Sequence, residues 1–414
     1  MRRRAAGLLT ALLLAVPSMA ADDAVTAGLD LRLRWESLDH GDWADGGDAR
    51  LLHRAMPWLD VSAQPLHVRL RGIAAGVEGM RDRPGPPDRT GLDLLEAAVG
   101  IDLAQGGDID LMLTVGRALL GLGSERLVGR RYGANVPQPF DGARMRVAGG
   151  GWQVDLLALR PVIAGSGDLD DAPGQGRFLR GAYATIDAGQ GTLDAYLLAT
   201  GQDTARYAQG AGRESRRTAG LRLAGSDGNW TWNGEGMWQW GRFAGTEIRA
   251  WSLASEVGYR LPGPGLSPRL LLRANIASGD ASPADGRLGT FNPLYPRAKY
   301  FGELTPIGPR NMVNLHPGLE LDLGAGFQLS AAGVFYWRQR RADGLYGLSG
   351  QVLRPAEPDA GRFVGRQGEL VLGWEGRGLT AAASFSLFRP GRFVRGTGPA
   401  RTITLVGLEL GWSL

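Results

Sequence analysis

Along most of the chain, apolar and polar residues alternate one for one over stretches of about ten residues, each closed by Gly, Pro or Asp. Trp230, Trp232, Gly234, Gly236, Trp238 and Trp240 fall on one face of such a stretch, with Thr231, Asn233, Glu235 and Gln239 on the other. Leu31, Leu33 and Trp35 alternate with Arg32, Arg34 and Glu36; Val68 and Leu70 alternate with Arg69 and Arg71; Leu221 and Leu223 flank Arg222. A helix would need apolar spacings of three and four, so this period of two predicts strands. The pattern places them at 27–37, 49–62, 66–79, 92–104, 108–118, 139–148, 151–160, 177–188, 191–200, 215–225, 229–240, 247–260, 267–278, 311–322, 325–337, 362–376, 378–389 and 402–413. That is eighteen, an even number. At about ten residues per tilted crossing they close a barrel wide enough to hold water.

Connections alternate between short and long. Gly149-Gly150, Ala188-Gly189-Gln190 and Gly324 predict tight turns, expected on the periplasmic side, whereas 119–138, 161–176, 201–214, 279–310 and 338–361 are long and would be extracellular or folded inward. Val406, Leu408, Leu410, Trp412 and Leu414 put every second residue on one face up to the carboxy-terminus. The expected fold is therefore all-β: a single transmembrane antiparallel β-barrel of about 18 strands, with short periplasmic turns and long extracellular loops.

Composition sharpens this picture. Gly is 65 of 414 residues without a triplet period, and apolar residues are 43 %, which fits neither collagen nor a bundle of membrane helices. Arg2, Arg3 and Arg4, the apolar run Leu8 to Val16 and Ser18-Met19-Ala20 predict a cleaved signal peptide over 1–20, leaving a barrel over 21–414. Its loss takes the formal charge from +4 to +1, so only the placement of charge is informative. With no Cys and four His (His40, His53, His67, His316), thiolate chemistry is excluded and zinc sites of the usual kind lack ligands. No metal and no cofactor is expected; the acids of 279–286 are read as a polar loop, with a calcium site as the lesser alternative. Nothing points to nucleic acid.

A charge on the lipid face costs roughly 2–4 kcal/mol at mid-membrane, so strand arginines are expected inside or at the rims. Arg32, Arg34, Arg69, Arg71, Arg117, Arg144, Arg146, Arg180, Arg222, Arg338 and Arg340 fit that placement, and Asp141, Glu235 and Glu320 are expected inward beside them. Lys occurs once, at Lys299, so the lumen's cations are guanidiniums, whose planar fork grips a carboxylate through two parallel hydrogen bonds.

Two segments carry a family likeness. Gly116-Arg117-Ala118-Leu119 through Gly123-Ser124-Glu125-Arg126-Leu127-Val128-Gly129, with Phe140-Asp141-Gly142-Ala143-Arg144, resembles a central motif of the bacterial alginate export family. So does Thr290-Phe291-Asn292-Pro293-Leu294-Tyr295-Pro296, with Tyr300-Phe301-Gly302 and Ile307-Gly308-Pro309-Arg310-Asn311 to Leu315-His316-Pro317-Gly318-Leu319. The resemblance implies an eighteen-stranded outer-membrane barrel whose arginine-rich lumen passes acidic polysaccharide. It implies Arg117, Asp141 and Arg144 at the constriction, and Arg310 and Asn311 as further candidates. Where family members have Gln after the first arginine, this chain has Ala118.

The expected function is an outer-membrane channel for an anionic, alginate-like polyuronate, lined by Arg69, Arg71, Arg117, Asp141, Arg144, Arg146 and Arg310. The alternative is a porin for oligosaccharides or small organic acids, working inward. An outer-membrane hydrolase is the remote third reading, because no GxSxG elbow is present and His53 and His67 read as rim or turn residues. A monomer in Gram-negative outer-membrane lipid is expected, and the resemblance implies a periplasmic export scaffold as partner.

Overall fold

The computed structural model describes residues 24–80, 84–263 and 266–414. The expected leader, 1–20, lies outside them.

Eighteen long strands form the wall: β1 (Ala24–Asp39), β2 (Gly47–Ala63), β3 (Leu66–Glu78), β4 (Thr90–Ala104), β5 (Ile109–Leu119), β6 (Pro139–Gly149) and β7 (Trp152–Ile163). They continue after β8 (Ala172–Pro173) with β9 (Phe178–Asp187), β10 (Gly191–Tyr207), β11 (Gly210–Asp227), β12 (Trp230–Phe243), β13 (Thr246–Arg260) and β14 (Arg269–Ala277). After β15 (Arg287–Leu288) come β16 (Met312–Gly324) and β17 (Phe327–Arg338). The ribbon β18 (Leu345–Tyr346) and β19 (Val352–Arg354) precedes β20 (Phe363–Gly376), β21 (Leu379–Pro390) and β22 (Ile403–Ser413). Each wall strand pairs antiparallel with its neighbours, and β1 pairs with β22 from Asp30↔Ser413 to Asp39↔Thr404, so the sheet closes. All eighteen predicted strands are present. Among the described residues no helix is long and apolar enough to cross a membrane.

Both ends of the described wall and the short turns 64–65, 105–108, 150–151, 188–190, 228–229, 325–326 and 377–378 share one rim, which the short-turn rule makes periplasmic. The expected long loop 201–214 is instead strand: β10 and β11 run to Tyr207 and from Gly210. Tyr207 and Glu214 are buried against loops entering the barrel, and this cover keeps the two strands paired above the membrane.

The outer face carries exposed Leu33, Val115, Leu156, Leu221, Leu253, Leu372, Leu408 and Leu410, a belt that lipid must cover. Aromatic rings mark its periplasmic edge, where Trp230 meets Tyr259 at 4.6 Å and Phe327 meets Trp374 at 6.3 Å. The buried apolar clusters lie inside the barrel. One joins Leu122, Leu127 and Val128 to Tyr183, Tyr196, Tyr207 and Phe291; another joins Phe301, Leu304 and Ile307 to Tyr336, Phe388 and Phe393.

Candidate pore and its arginines

The two segments that carry the family likeness run into the two loops that enter the lumen, and there they meet. Residues 120–138 leave β5 and turn inward; residues 278–311 leave β14 and do the same. Gly129 N–H donates to the Tyr295 carbonyl at 2.9 Å, Tyr295 N–H to Leu127 at 2.8 Å and Arg297 N–H to Glu125 at 3.0 Å, a short parallel bridge between loops. Burial depresses the pKa of the Arg297 guanidinium.

Each loop is tied to opposite walls. At one end of the first loop, Glu235 of β12 accepts from Ser124 Oγ at 2.7 Å and Arg126 at 3.0 Å. Gly123 has φ +51°, and a Cβ there would collide with the Tyr183 hydroxyl, so only glycine allows this approach. At its other end, Arg32 and Arg54 stand directly opposite each other on β1 and β2. Such like-charged pairs repel, and the loop inserts carbonyls between them: Arg32 donates to Tyr132 at 3.1 Å and Ala134 at 3.0 Å, and Arg54 to Ala134 at 3.1 Å. The second loop binds Gln239 through Asn292 and reaches the seam, where Glu303 pairs with Arg34 at 2.9 Å and with Lys299 at 2.7 Å.

Below the first loop, toward the periplasm, a recess of about 410 Å³ remains against the wall, lined by residues that include Asp60, His67, Arg69, Thr114, Arg144 and Arg146. Here guanidiniums stand in front of carboxylates. Arg144 binds Asp155 through two hydrogen bonds of 2.8 and 2.6 Å, and Arg146 binds the same carboxylate at 3.1 Å. The Asp155 side chain is 3 % exposed, against 28 % and 39 % for the two arginines. Arg69 is 58 % exposed and its partner Asp60 32 %. Across the barrel Arg222 pairs with buried Asp194 at 2.7 Å. In these pairs the acid sits nearer the wall and the cation reaches toward water.

Of the predicted site residues, Arg69, Arg71, Arg144 and Arg146 face the lumen. Arg71 is in contact with the loop rather than free, donating to the Tyr132 hydroxyl at 3.0 Å. Arg117 and Asp141 do not line the lumen, which corrects the expectation. They pair in register with each other and with Arg160, on the face that carries Val115 and Leu156. They lie on the outside at the extracellular ends of β5 to β7, where the cost of a lipid-side charge falls to roughly 0–1 kcal/mol. Their bidentate pair, 2.7 and 2.9 Å, and an Asp171 carbonyl at 3.1 Å satisfy the guanidinium. Arg180 is outward for the same reason of register. Arg310 is buried in the second loop, donating to Asn292 at 2.8 Å with its guanidinium 5.4 Å from the Tyr207 ring centre. Arg338 is also wholly buried, bound to four backbone carbonyls over Phe393.

In 279–286, Asp280 accepts from Gln209 and the Gly289 amide, and burial raises its pKa. Sequence reasoning missed Arg54, Tyr132 and Asp155. Leu51 and Leu52 are both apolar, which hides the face of Arg54, and the loop tip has no periodicity at all.

A family model described as Alginate export matches residues 23–407. The chain belongs to the alginate export family. No curated protein sequence matches it. Among solved structures, Pseudomonas aeruginosa OccK5 (OpdH) superposes with a TM-score of 0.62 at 14 % identity, covering 94 % of this chain and 98 % of that one. Acinetobacter baumannii OccAB1 gives 0.63 at 12 %, covering 94 % and 96 %. P. aeruginosa OccK2 (OpdF), solved in complex with glucuronate, gives 0.61 at 13 %, covering 94 % and 98 %. The protein is an outer-membrane channel of the Gram-negative envelope with the porin fold of these structures.

Proposed function

We propose that this member of the family passes anionic, uronate-bearing saccharide by passive diffusion, without catalysis, along guanidiniums on the lumen wall. The observation that carries the reading is the order of charges: Arg69, Arg144 and Arg146 are more exposed than the acids they pair with. A sugar carboxylate can exchange for water on a guanidinium whose other donors are held by the wall, and release again, as conduction requires. Acids behind the arginines hold the forks in place and keep each site weak. The chain acts as a monomer and receives substrate from a periplasmic partner.

A second reading has its own support. The inward loops meet inside the lumen, the recess of about 410 Å³ on the wall has room for a sugar acid, and the structurally similar OccK2 was solved with glucuronate. On this reading the cargo is a small carboxylate taken inward. Efflux from proteoliposomes of labelled oligouronates, against uncharged oligomers of equal length, separates the two. Release of uronate chains several residues long supports polymer passage; release of monomers alone supports the small-acid porin; no preference for charge overturns both.

A further inference from the structure

On the outer face, away from the pore, Arg366 of β20 and Arg389 of β21 are directly paired in register. Both side chains are exposed, and among the described residues neither has a carboxylate partner. Two like charges opposite each other on neighbouring strands repel, with Cβ atoms about 5 Å apart. Elsewhere the protein resolves such repulsion: loop carbonyls separate Arg32 from Arg54, and Asp155 joins Arg144 to Arg146. Here the structure supplies nothing.

The position says what can. Arg366 is eight residues above Trp374 and Arg389 ten above Leu379, both near the periplasmic rim. At about 3.3 Å per residue and a tilt near 40° that is roughly 20–25 Å, the height of the apolar band. The pair therefore lies at the outer-leaflet interface. Directly beneath are the exposed Leu370 and Phe385. Beside it the rings of Phe335, Trp337 and Phe363 form a platform, 6.3 and 5.6 Å between neighbouring centres. A ligand that fits must be anionic above and apolar below.

We propose that Arg366 and Arg389 bind a phosphate of the outer-leaflet glycolipid, its acyl chains lying along Leu370 and Phe385. The guanidinium forks donate bidentately to phosphate oxygens, and the anion cancels the repulsion between them. This site is independent of what passes through the pore.

Native mass spectrometry of the detergent-purified full-length protein tests it, with diphosphoryl lipid A, phosphatidylethanolamine and inorganic phosphate as probes. Wild type is expected to retain one diphosphoryl lipid A about tenfold more tightly than Arg366→Gln/Arg389→Gln, the loss of one or two charge-assisted hydrogen bonds. Equal retention by both proteins overturns the site, and so does displacement of the lipid by an equal concentration of inorganic phosphate. Arg366→Glu provides an arm that does not depend on the double variant folding. It places opposite charges across the strands, so lipid binding should fall while the lipid-free unfolding midpoint rises. Retained lipid binding in Arg366→Glu contradicts the proposal.

Discussion

The arginines inside the barrel and those on its outer rim lie on the same kind of strand but face opposite ways, the inner ones toward the periplasmic half and the outer ones at the extracellular ends. Inside, Arg144 and Arg146 are fixed by Asp155, Arg69 by Asp60 and Arg222 by Asp194. Outside, Arg117 is held by Asp141, but Arg366 and Arg389 have no acid partner among the described residues, and Arg180 rests against the Phe178 ring at 5.2 Å. A guanidinium in water wanders unless something holds it, so a lumen that depends on fixed cations needs carboxylates behind them. At Arg366 and Arg389 the proposed lipid phosphate takes that role, and a protein carboxylate would compete with it. The contrast also shows how much hangs on register, since a slip of one residue would exchange the two sets.

Breaking the inner set should have the largest effect. Arg144→Ala/Arg146→Ala is expected to weaken block of single-channel current by oligouronates about tenfold, or roughly 1.4 kcal/mol. Arg366→Gln/Arg389→Gln should leave that block unchanged. The brace comes next. Asp155→Asn leaves two arginines without their carboxylate and should destabilise the barrel by about 1–3 kcal/mol in urea unfolding from vesicles. Asp141→Asn, in the part-buried outer pair, leaves Arg117 its Leu94 and Asp171 carbonyls and should cost less, about 1 kcal/mol.

Smaller again is the loop tip. Arg32→Ala/Arg54→Ala removes the donors that hold Tyr132 and Ala134. Conductance should rise by less than about twofold, because Arg126 and the bridge to Tyr295 keep the rest of the loop in place. The smallest effect concerns the extracellular strap 164–177, where burial, followed by the neighbouring Asp93, raises the pKa of Asp171. A carboxyl raised on folding adds stability below its unfolded pKa and loses it as pH rises through the folded one. Proteolysis of the strap should therefore slow as pH falls toward the carboxylate range, and Asp171→Asn should flatten that dependence.

All eighteen strands were legible in the sequence because lipid on one side and water on the other enforce a period of two. That enforcement ends where the strands leave the membrane. Arg117 and Asp141 sit past that limit, so the rule that sends charges inward did not apply to them. They follow or precede the paired Gly116 and Gly142, whose positive φ values coil the strands there. For the same reason 201–214 resembled a loop: its alternation is matched to loops inside the barrel rather than to lipid. The inward course of 120–138 and 278–311 depends on contacts between segments far apart in sequence. Only the family likeness marked those two segments, and it could not say that they touch.

The central claim is that anions cross along Arg69, Arg144 and Arg146. The most direct test is current through a single purified channel in a planar bilayer, with oligouronates of increasing length added to one side. The account predicts anion-selective conductance, block that deepens with length, and weaker block in Arg144→Ala. Block equal to that by uncharged oligomers, unchanged by Arg144→Ala, would contradict it.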